Sequence, residues 1–160
     1  MHGSGDTAEI DRLREAIAEA SATRVHFIPA DLSNAFAAEM LVKQSIAICE
    51  RIDVLVNNVS AEHVSSTAAH TIVTAALADM QTRSWGRIIN LATGHEWVGV
   101  TQTIAQENLH TNITCNAICL GAATAPLLAP SALEQAAERA LFLASEAGGS
   151  TTGCVYDLVL

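Results

Sequence analysis

Positive charge is scarce in this sequence. Its 160 residues hold eight lysines and arginines against seventeen aspartates and glutamates, a net charge of −9. Nucleic-acid and anionic-membrane surfaces need basic patches, so that balance argues against both partners. Charge of either sign makes up only 16% of the chain, while 50% is hydrophobic. A disordered chain has the reverse balance, which excludes disorder. Long apolar runs are also missing, and none approaches the roughly 18 residues that span a bilayer. The opening Met1-His2-Gly3-Ser4-Gly5-Asp6 lacks the basic and apolar regions of a signal peptide. A soluble, cytoplasmic protein with no membrane contact is expected. The four cysteines (Cys49, Cys115, Cys119 and Cys154) form no C-x-x-C pair, and the six histidines form no H-x-x-x-H pattern. Neither a disulfide framework nor a metal site is expected, and the cysteines read as buried free thiols.

What is present is alternation. The length suits one domain, 1–160, with enough apolar residues for a core. Asp6-Thr7-Ala8-Glu9 reads as a helix cap, followed by Ile10, Leu13, Ile17 and Ala20 at helical spacing. Arg24 to Ile28 is a short β-rich run closed by Pro29. A helix from about Ala35 to Glu50 carries Phe36, Met40, Leu41 and Ile48 on its apolar side. Ile52 to Val56, ending at Asn57-Asn58, is a strand of the continuous apolar kind that sheets bury on both faces. A helix over Ser66 to Arg83, a strand over Arg87 to Ala92, a weaker helix over Gly99 to Asn108 and a strand over Ile113 to Cys119 follow. Ser131-x-x-Glu134 reads as a capping box opening a helix to about Ala147, with Gly148-Gly149 stopping it and a last strand over Thr152 to Val159. Helices alternating with apolar strands imply an α/β fold, a Rossmann-like doubly wound and mostly parallel sheet.

The wording of several segments is also specific. Ala30-Asp31-Leu32-Ser33, Arg51-Ile52-Asp53-Val54-Leu55-Val56-Asn57-Asn58 and Gly86-Arg87-Ile88-Ile89-Asn90-Leu91-Ala92-Thr93 stand in the order found in short-chain dehydrogenases/reductases. Ile113 to Cys119 and Ala140 to Ser145 continue the series, and the chain resembles that family over nearly its whole length. Trp85 to Asn90 and Ile113 to Cys119, with His95 between them, are similar to the D-3-hydroxybutyrate dehydrogenase branch. The resemblance implies hydride transfer between a nicotinamide cofactor, NAD, and a small 3-hydroxy acid. It places Asp31 and Leu32 in the adenine-side loop, Asn57 at the cofactor-facing strand end, and Thr93 where the family has its substrate-orienting serine.

Departures from the family pattern fall on its functional loops. No T-G-x-x-x-G-I-G turn is present, so the amides that hold a pyrophosphate are missing. Gly3-Ser4-Gly5 resembles instead the loop after the family's second strand. The Tyr-x-x-x-Lys pair, in which the lysine lowers the phenol pKa for proton exchange with the carbinol, is absent as well. The single tyrosine is Tyr156 and the single lysine is Lys43, in different elements. Asn57-Asn58-Val59-Ser60 replaces N-N-A-G, and Cys119-Leu120-Gly121 replaces C-P-G. The fold is therefore expected to be incomplete, lacking the family's first two strands, with little or no turnover. Without those strands, the ones at Val25 and Val54 either pair directly or leave open edges, and a homo-oligomer is expected. The rival reading is a non-catalytic remnant acting as an oligomerisation or interaction module. Residue by residue, Asp31 also suits a plain strand-to-helix turn. Asn57 and Asn90 suit strand-end residues that tie neighbouring loops together by side-chain hydrogen bonds. Thr93, His95 and Glu96 form either an acid–base cluster or an ordinary polar turn. Trp97 reads as packing, or as an exposed residue left by the deletion.

Overall fold

A computed structural model describes residues 1–3, 6–58, 66–92, 97–120 and 130–158. Among the described residues, two helices lead into strands and helices that alternate. They are α1 (Thr7–Ser21), α2 (Ala35–Cys49), β1 (Val54–Asn58), α3 (Ser66–Arg83), β2 (Trp85–Ala92), α4 (Val98–Glu107), β3 (Asn112–Cys119), α5 (Pro130–Ala144) and β4 (Val155–Asp157). The strands form one sheet in the order β1-β2-β3-β4, every neighbouring pair parallel. The doubly wound α/β reading holds, and its cause is the side-chain alternation of each strand. Ile88 and Cys115 face one side, where Val73 and Met80 of α3 and Ile104 of α4 cover them. Ile89 and Ile118 face the other, beneath Ala136 and Leu143 of α5. Each such aliphatic side chain contributes about 1.5–3 kcal/mol when fully buried.

A third cluster joins α2 to α3: Ala38, Leu41 and Val42 pack with Ala68 and Ile72 over Ile28 and Leu32. The end of α3 is fastened to the start of β1 by an ionic clamp. The Ile52 N–H donates to Asp79 Oδ2 at 3.0 Å, and Arg83 Nη2 donates to the same oxygen at 2.7 Å. Arg83 also donates to the Ile52 carbonyl at 2.7 Å and to Asp53 Oδ1 at 2.9 Å. Close packing at the next turn requires Gly86, because a Cβ there would fall on the Met80 side chain.

Several expectations need correction. Arg24 to Ile28 lies outside the sheet. A strand exists only through a ladder with its neighbour, and among the described residues this backbone meets Met1 and His2: Met1 N donates to the His26 carbonyl at 2.6 Å, Ile28 N to the Met1 carbonyl at 3.0 Å, and His2 Nδ1 lies 3.0 Å from the Ile28 carbonyl. This stretch therefore does not pair directly with β1. The Asp6 cap of α1 forms as expected, with Ala8 N donating to Oδ1 at 2.9 Å. Yet α1 buries no residue, and Leu13 and Ile17 stay exposed. Phe36 and Ile48 face solvent, since α2 uses its Ala38–Leu41–Val42 face. Helix α5 opens at Pro130, the first-turn position where proline's missing N–H costs nothing, so Ser131 lies inside the helix. It ends at Ala144, and a short 3-10 turn follows at Ala147–Ser150. Cys115 and Cys119 are buried, but Cys154 is half-buried and Cys49 exposed, and none of the four is joined in a disulfide.

Candidate functional site

The carboxyl ends of parallel strands are where doubly wound folds bind ligands, and Asn57, Asn58, Ala92 and Cys119 mark that rim here. Just beneath it runs a buried polar chain. Asn57 Nδ2 donates to Asn90 Oδ1 at 2.8 Å, and Asn90 Nδ2 donates to Thr101 Oγ1 at 2.9 Å. The same amide points at Cys115 Sγ, 3.7 Å away. The geometry follows from register: Asn57 stands opposite Asn90 across β1 and β2, on the face that α4 covers with Thr101. Burial pushes the Cys115 thiol up to about 12, against the opposing hydrogen bonds from Thr101 and Asn90. It is a neutral packing group rather than a nucleophile. The residue types lead one to expect ties from these asparagines to neighbouring loops, whereas among the described residues they bond each other. Thr101 and Cys115 do not follow from the sequence, although a lone asparagine inside Ile88-Ile89-Asn90-Leu91 signals that a buried partner is needed.

Of the four candidate site residues, the three that are described, Asp31, Leu32 and Asn57, are not brought to one point. Asp31 is exposed, and its Oδ1 accepts the Ser33 N–H at 2.9 Å; the Ser33 backbone first, and its side chain second, hold this carboxyl below its ordinary range. Leu32 is a core residue with Ile28 and Leu41, leaving only its backbone to meet a ligand. The amide of Asn57 is engaged with Asn90. Thr93, together with His95, Glu96 and Ser60, lies outside the described residues. Leu32 and Asn57 both line a cleft of about 550 Å³ beside β1. Asp31 offers an exposed carboxylate oxygen but does not line that cleft. For a nicotinamide dinucleotide, the described residues supply no pyrophosphate cradle and no proton-transfer couple. Trp97 is buried against the core, as packing requires.

The two residue types that the family couples stand apart. Lys43 is on α2, paired with Glu39 at 2.6 Å on the surface. Tyr156 is on β4, the edge strand farthest from β1, with the Arg139 guanidinium 4.5 Å from its ring centre. Burial first, and the Cys154 thiol second, raise the phenol's pKa, while Arg139 pulls it down. The net direction is opposite to the one a catalytic tyrosine needs. Among the described residues no cluster of histidine, cysteine, aspartate and glutamate suits a metal ion, and no helix is long and apolar enough to cross a membrane.

With this parallel sheet, its strand-end asparagines and its paired helices in view, the family can be stated: residues 5–96 match the short chain dehydrogenase family, and the chain belongs to it. Among its relatives is the D-beta-hydroxybutyrate dehydrogenase of Cupriavidus necator, 30% identical over 162 aligned positions that cover 80% of this chain and 62% of the relative. The enzyme of the same name from Rhizobium meliloti is 27% identical over 178 positions, covering 88% of this chain and 67% of that one. The chain thus spans about two thirds of the length of these relatives or less. In each alignment the positions outnumber the residues that this chain contributes, so gaps fall opposite it. The fold is shared with an NAD+-bound xylitol dehydrogenase, at a TM-score of 0.77, 15% identity and coverage of 96% of this chain and 85% of that one. It is shared also with an NADPH-dependent reductase of bacilysin biosynthesis, at 0.77, 20% identity and coverage of 96% and 84%.

Proposed function

We propose that this chain is a shortened scaffold of the 3-hydroxybutyrate dehydrogenase kind with little or no turnover. The ligand class it inherits is a nicotinamide dinucleotide, NAD, with a small 3-hydroxy acid as substrate. The observation that carries the reading is the separation of Tyr156 and Lys43, on β4 and on a helix beside the opposite sheet edge. Residues that act as a unit lose orders of magnitude in rate when one is removed. Here both partners are out of reach of each other. Thr93, following β2, is the one group of the family's reacting set with a counterpart in this sequence. A hydroxyl there orients a substrate oxygen but does not replace a proton-transfer couple. Asp31 is the group available to accept a hydrogen bond from the adenine amino group, while Leu32 and Asn57 line the cleft beside β1.

The test has two arms. A fluorescence titration of the folded protein with NADH is expected to saturate weakly, and Asp31→Ala is expected to weaken it further. Mixing the protein with NAD and 3-hydroxybutyrate is expected to form no NADH above the protein-free rate. NADH formation in proportion to protein would overturn the silent-scaffold reading, and the absence of any saturable binding would remove the cofactor. A second reading, an association module or homo-oligomer, is favoured by one observation. Leu133, Leu141 and Phe142 on α5 are all exposed, Leu141 by 71%, and exposed apolar groups on one helix favour burial against another copy. A concentration-independent monomer in sedimentation would exclude it.

A further inference from the structure

We draw no further inference here: the strongest candidate, the apolar face of α5 where Leu133, Leu141 and Phe142 stand exposed, belongs to the association reading already given, and nothing in the structure shows what covers it.

Discussion

Replacing Asp79 by alanine should release the start of β1 from the end of α3. The carboxylate accepts the Ile52 N–H at 3.0 Å and Arg83 Nη2 at 2.7 Å. Both side chains are sheltered, with 18% and 25% exposed, so screening by solvent is modest. A hydrogen bond to a charged group contributes about 1.5–3 kcal/mol, and an orphaned, half-buried N–H adds to the loss. Together they place the cost of Asp79→Ala at about 2–3 kcal/mol. Asp79→Asn keeps an acceptor for Ile52 and loses only the charge, so it should cost about 1 kcal/mol. The pH dependence has a definite sign. Burial by itself raises the Asp79 pKa, but the Ile52 N–H and Arg83 outweigh it, and the folded value lies below the ordinary 3.8. A depressed carboxyl contributes stability that is complete above the unfolded pKa and is lost as pH falls through the folded one. The gap between the native chain and Asp79→Asn should therefore be constant from neutral pH down to about 4 and close below that. Urea titrations at pH 7 and along the acid limb measure it. A gap under about 0.5 kcal/mol at pH 7, or one that persists unchanged in acid, would refute the reasoning.

Further outcomes follow from other sites. Gly86→Ala forces the fully buried Met80 side chain aside and should cost about 1–3 kcal/mol by overpacking, read as a lowered urea midpoint. Asn90→Ala deprives Asn57 Nδ2 and Thr101 Oγ1 of their partner. It should cost about 2–4 kcal/mol, and a double-mutant cycle with Asn57→Ala should give a coupling above about 0.5 kcal/mol. In alkylation of the native protein followed by peptide mapping, exposed Cys49 should react first. Cys115, buried and pushed up to about 12, should stay unlabelled until the chain unfolds.

Much of the architecture was legible because helical and strand periodicity are local properties. Ser66 to Arg83 reads as a helix over the same span that α3 occupies, and Ile88 to Leu91 announces a strand buried on both faces. Neighbours in a sheet are not local. Arg24 to Ile28 has strand composition, yet no ladder forms beside it, and α1 has an apolar stripe with no surface to cover. Phe36 and Leu41 both suit an apolar helix face, but only the geometry against α3 decides that Leu41 goes inside. The candidate site was legible in part. Asn57 and Asn90 declare themselves as polar residues in apolar strands, whereas Thr101 joins them only through the crossing of α4 over β2 and β3. The cleft beside β1 has no sequence signature, because residues far apart in the chain, from Met1 to Ile72, line it.

The central claim is that a dehydrogenase scaffold persists here without its proton-transfer couple. A single-turnover experiment tests it most directly, with protein in large excess over NAD, 3-hydroxybutyrate saturating, and NADH followed by absorbance. With Tyr156 and Lys43 on separate elements, the account predicts no NADH beyond the protein-free control over hours. Stoichiometric conversion of NAD to NADH would contradict it.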